Sequence, residues 1–195
     1  MTEPNRLPLR VLVKGASRSD LDISRVIETE LQAAGCPAEV RCTATPAERT
    51  KVALRTWQEE VLPWSPDVVI LGYGETEAIQ RLRSGARRVI ADLERVIELV
   101  RTVASPLVLI PEISPAGAPD RRSSRGTEAR IEAMNGALHD LVARIDQEDV
   151  RIIPTPEDIA DVILEWAEQQ THLDLEAVQA RRATRLRGRL APTAD

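Results

Sequence analysis

"PDVVILGYG", residues 66–74, is the stretch that decides the fold. Val68, Val69, Ile70 and Leu71 are apolar in succession, so an extended chain here is apolar on both faces. A strand of that kind belongs inside a parallel sheet, covered by helices on each side. Glycines and an acidic helix-like segment follow at once, as at the end of a strand in an alternating α/β chain.

The same alternation extends in both directions. "LRVLVK" (9–14) reads as a first strand, and Leu21, Ile23, Val26, Ile27 and Leu31 then recur at near-helical spacing. Gly35 stands where a helix C-cap glycine belongs. "AEVRC" (38–42) reads as a strand, and a helix is expected from about Pro46 to Leu62. Downstream, residues 77–103 read as helix, with Ile90, Leu93, Ile97 and Val100 on one stripe. "PLVLIP" (106–111) and "VRIIP" (150–154) read as strands around a helix at 127–146, whose inward stripe is Ile131, Met134, Leu138, Leu141 and Ile145. Helices near 156–169 and 174–188 complete the pattern.

These elements predict an α/β fold: one three-layer, flavodoxin-like domain over residues 1–195, with flexible tails at 1–8 and 189–195. Right-handed crossovers give its five-stranded parallel sheet the order 2-1-3-4-5. At 195 residues the chain is long enough for one sizeable core.

Composition narrows the function classes. A net charge of −5 and an aromatic content of 2% argue against a general nucleic-acid binder. No apolar run approaches the roughly 20 residues that a membrane helix needs, and "MTEPNRLPLR" lacks the layout of a signal peptide. A cytoplasmic protein is expected, with Cys36 and Cys42 as reduced thiols. Two cysteines and two distant histidines are too few for a metal site, so no metal and no cofactor is expected. Oligomeric state is left open.

In open α/β sheets, ligands bind beyond the carboxyl ends of the strands. Four segments lie there: "GASRSD" after the first strand, "GYGETE" after the third, the long loop 112–126 after the fourth, and "EQQTHLD" (168–174) further on. Ser17 has three readings at such a turn. It can cap the first helix, join a phosphate cradle at a helix N-terminus, or act as a nucleophile if a base takes its proton. His139 lies on the flank of a helical stripe and reads as a partly exposed helix residue. His172 sits at a junction between two helical patterns and reads equally as a surface residue or a base.

These blocks resemble the SGNH/GDSL hydrolases, serine esterases and acylhydrolases on a flavodoxin-like sheet. "VLVKGASRSD" is similar to the first block, with Ser17 on the nucleophile and Ala16 where the family has aspartate. "PDVVILGYGETEA" is similar to the third: Gly74 matches its glycine, Thr76 replaces the oxyanion-hole asparagine and Glu77 the aspartate. In the second-block region, "CTATPAERT", no glycine is present, and Ala47 is the candidate for a backbone N–H donor. "QQTH" puts His172 on the family's histidine and Gln169 on its aspartate.

The resemblance implies a serine hydrolase or acyltransferase working through an acyl-serine intermediate, with a small acyl ester or an acyl carrier as substrate. Arg121, Arg122 and Arg125, in the loop after the fourth strand, are candidates to attract an anionic substrate, or simply face water. The substituted positions also allow a catalytically degenerate domain that binds a ligand or partner. A nucleotide binder with "SRS" cradling phosphate is the third reading; only Tyr73 lies at the right rim to stack a flavin. A response regulator is excluded, because Val13-Lys14-Gly15 offers no acidic pair for magnesium.

Overall fold

The computed structural model describes residues 8–15, 19–45, 48–61, 63–79, 85–103, 106–114 and 124–171. Contacts divide the chain into two units, Met1–Ala160 and Asp161–Asp195. The expected helix at 174–188 and the tail at 189–195 lie outside the described residues, as does the other tail except for Pro8.

The described elements alternate as the pattern predicts. They are β1 (Leu9–Gly15), α1 (Ser19–Ala33), β2 (Ala38–Cys42), α2 (Thr50–Glu60), β3 (Val68–Gly72), α3 (Glu75–Ile79), α4 (Gly85–Val103), β4 (Leu107–Pro111), α5 (Ser124–Ile145), β5 (Val150–Ile153) and α6 (Ile159–Thr171). The five strands form one parallel sheet in the order β2-β1-β3-β4-β5. The α/β class and the strand order are thus as expected.

Local chemistry sets the ends of these elements. At the end of α1, Gly35 takes φ 72°, which a glycine adopts without a Cβ clash. There the Cys36 N–H reaches the Leu31 carbonyl (2.8 Å) and the Gly35 N–H reaches that of Gln32 (3.0 Å), so these two carbonyls of the last turn are satisfied. The segment expected as one helix over 77–103 is described as two helices, α3 and α4, which pack against each other. Residues 80–84 between them lie outside the described residues.

One face of the sheet carries most of the core. Leu12, Val69, Leu71, Val108 and Ile110 pack with Trp57 and Ala53 of α2, Leu93 and Ile97 of α4, and Met134 and Leu138 of α5. A buried Leu or Ile side chain contributes about 1.5–3 kcal/mol by leaving water, so this cluster dominates the stability of the first unit. Lys14 is a charged residue in this largely apolar interior: it is only 1% exposed, two residues beyond Leu12 on the same face of β1. Among the described residues, no helix is long and apolar enough to cross a membrane.

Candidate active site

The carboxyl edge of the sheet is built from the ends of β1, β2 and β3. Gly15 pairs with Gly72, so β1 and β3 end level. The segment after β2 follows β1 outward: the Thr43 N–H donates to the Val13 carbonyl (2.9 Å) and the Thr45 N–H to that of Gly15 (3.1 Å). The Glu48 N–H in turn donates to the Thr45 carbonyl at 2.9 Å.

Glu48 faces inward. Its Oε1 lies 3.7 Å from Lys14 Nζ, with the two side chains 7% and 1% exposed. The same oxygen accepts a hydrogen bond from the Tyr73 hydroxyl at 2.8 Å. Sequence reasoning missed this cluster, although a lysine inside an apolar strand is a signal that it needs a buried partner.

The segment after β3 is tightly held. Gly74 has φ 107°, and a Cβ there would meet Ile113 Cδ1 at 3.1 Å and Met134 Cγ at 3.2 Å. Its carbonyl accepts the Ala78 N–H at 2.9 Å, which opens α3. Thr76 and Glu77 follow on α3 and are 8% and 7% exposed. Glu77 Oε1 accepts from both the Thr50 N–H and the Thr50 hydroxyl, each at 3.2 Å, and so caps the start of α2. Its Oε2 is buried and, among the described residues, has no hydrogen-bond partner. At the far end of α3, Arg130 Nε donates to the Ala78 carbonyl at 2.7 Å.

Beside this edge, residues after β4 and β5 border an open groove of about 600 Å³ along α5. Glu112, Ser114, Glu128 and Asn135 are among its lining residues. Asn135 holds the wall in place: its Oδ1 accepts the Ile113 N–H (2.9 Å) and its Nδ2 donates to the Ile113 carbonyl (3.1 Å). His139, 55% exposed on α5, pairs with Glu112 at 2.5 Å. The exposed position of His139 matches the sequence reading; its carboxylate partner was not foreseen.

Of the candidate residues, Gly74, Thr76 and Glu77 are described, and they stand together at the end of β3. Gln169 is described within the second unit, exposed on α6, where its Nε2 donates to Glu165 Oε1 at 3.3 Å. Ser17, Ala47, His172, Arg121 and Arg122 lie outside the described residues, and for Arg125 only the backbone is described, in α5. Among the described residues, no three His, Cys, Asp or Glu side chains group as a metal site needs.

No family model matches the sequence, and no curated protein does. Solved structures do match in fold. The acetyl xylan esterase AlAXEase aligns with a TM-score of 0.63 at 16% identity, over 83% of this chain and 84% of that one. Axe2, an acetylxylan esterase from Geobacillus stearothermophilus, aligns at 0.64 with 10% identity, over 80% of each chain. TesA aligns at 0.58 with 15% identity, over 73% of this chain and 76% of that one. The resemblance read from the sequence blocks therefore holds at the level of architecture: the chain has the five-stranded α/β fold of the SGNH/GDSL hydrolases.

Proposed function

We propose that this protein is a serine hydrolase acting on ester bonds, or an acyltransferase using the same acyl-serine intermediate. The observation that carries this reading is the setting of β1 in an esterase-like fold. The strand lies inside the sheet between β2 and β3 and ends at Gly15, two residues before Ser17, while α1 begins at Ser19. A position between the end of a strand and the start of a helix suits a nucleophile, because a helix N-terminus favours developing negative charge.

In this mechanism His172 removes the proton from the Ser17 hydroxyl as its oxygen attacks the ester carbonyl carbon. Gln169, in the acid's position, accepts a hydrogen bond from the His172 ring. Backbone N–H groups at Ser17 and Ala47 and the Thr76 hydroxyl stabilise the tetrahedral oxyanion. Collapse breaks the bond to the alcohol oxygen, which leaves with the proton held by His172. Water, or another acceptor hydroxyl in a transferase, then attacks acyl-Ser17 and releases the acid or the new ester. Arg121, Arg122 and Arg125 would favour an anionic ester or carrier. Acetyl esters are the first substrates to try, since two of the structural neighbours are acetyl xylan esterases.

The test is labelling by a fluorophosphonate probe together with hydrolysis of p-nitrophenyl acetate. Both are expected in the wild type and lost in Ser17→Ala and His172→Ala. Folded wild type that neither labels nor hydrolyses the ester would overturn the reading.

A second reading is a catalytically degenerate domain that binds a ligand or partner. It is favoured by the engagement of Glu77 with Thr50 and by the burial of Thr76. It predicts thermal stabilisation by a ligand without turnover.

A further inference from the structure

We infer that Lys14, Glu48 and Tyr73 form a positioning network that sets the spacing of the three strand-end segments carrying Ser17, Ala47 and Thr76. The inference rests on the hydrolase reading above. Its geometric basis is that three segments converge on one atom. Glu48 Oε1, on the segment after β2, meets Lys14 Nζ from β1 at 3.7 Å and the Tyr73 hydroxyl from the end of β3 at 2.8 Å.

Stability alone is a weak reason for such a group. Taking an ammonium and a carboxylate out of water is costly, and well-packed apolar residues of similar volume often do as well. The surroundings would suit such residues, since Leu12, Leu71 and Trp57 share this face. An ionic network adds direction, because its distances and angles hold only when all three segments are in register. Backbone bonds already tie Thr43 and Thr45 to β1, but they constrain only the β1–β2 pair. Ladder pairing holds β1 to β3 as far as Gly15 and Gly72, and the Tyr73 hydroxyl adds a direct tie from the residue after β3 to the segment after β2.

Sequence distance carries this constraint to the chemistry. Lys14 precedes Ser17 by three residues, Glu48 is adjacent to Ala47, and Tyr73 precedes Thr76 by three. Slackening the network leaves the nucleophile and donors present but misaligned. A displacement of about 1 Å at a reacting centre costs up to about 10²-fold in rate.

The experiment compares wild type with Tyr73→Phe and Glu48→Gln, and with Val96→Ala as a control for destabilisation, since Val96 is a fully buried residue of α4, a helix that carries no member of the network. Three readouts are taken: melting temperature, kcat and KM for p-nitrophenyl acetate, and the rate of fluorophosphonate labelling. Amide exchange at Thr45 and Glu48 follows the network itself. The expected result is a fall in kcat and labelling rate of about 10- to 10²-fold in both network variants, with KM nearly unchanged and faster exchange at Thr45 and Glu48. Val96→Ala should lower the melting temperature and leave kcat as in wild type. If wild type reacts and the network variants react equally well, or fall only as far as Val96→Ala does, the positioning role is overturned and the hydrolase reading stands. If wild type itself does not react, the hydrolase reading falls and takes the positioning role with it.

Discussion

Glu77 and Thr50, 27 residues apart, are joined through a single carboxylate oxygen that receives both the backbone N–H and the hydroxyl of Thr50. The first turn of a helix has unsatisfied N–H groups and a partial positive charge, so a carboxylate there is favourable. Arg49, at the N-cap of α2, makes no side-chain cap bond, and Glu77 supplies that function from another helix. Glu77→Ala is therefore expected to destabilise by about 1.5–3 kcal/mol, the range for hydrogen bonds to charged groups. Urea unfolding of Glu77→Ala, Thr50→Val and the double variant checks it. A coupling energy of about 0.5 kcal/mol or more between the two sites is expected, and strict additivity would contradict the pairing.

Gly74→Ala should be costly for two separate reasons. Alanine is strained at φ 107°, and its Cβ would press on Ile113 and Met134. A loss of about 1–3 kcal/mol is expected from the backbone conformation alone. Chemical denaturation measures this. Since Thr76 lies two residues on, the labelling rate of Ser17 should fall as well.

Asn135→Ala removes both bonds that hold Ile113 and leaves its backbone groups short of partners. A part-buried group left unsatisfied costs about 1–3 kcal/mol. Amide exchange at Ile113 should accelerate, and unchanged exchange there would show that Asn135 does not restrain the segment.

His139→Gln separates the two histidines. The pair His139–Glu112 is solvent-exposed, and such pairs contribute about 0–1 kcal/mol. The variant should stay near wild type in stability and label at the wild-type rate, whereas His172→Ala should not label. Loss of labelling in His139→Gln would move the base to α5.

Much of this architecture can be read along the chain because its cause is local. Val68 to Leu71 are apolar in succession because β3 is covered on both faces, and the strand order follows from repeated right-handed crossovers. Gly35 ends α1 through bonds to residues within one turn. The site is less legible. Thr76 and Glu77 stand out as neighbours in sequence, yet nothing local tells that Glu77 is spent on Thr50. Lys14 looks anomalous in its strand, but its partner is 34 residues away, with no periodicity to connect them.

The amino-acid sequence by itself determined the alternation of strands and helices, the parallel sheet and the edge at which chemistry belongs, because hydrophobic period and turn residues act over a few positions. Only the tertiary structure decided which buried polar groups meet: Lys14 and Tyr73 on Glu48, and Thr50 on Glu77. Those pairings depend on how separate strand ends align, and a buried charge takes whichever partner the fold brings within reach.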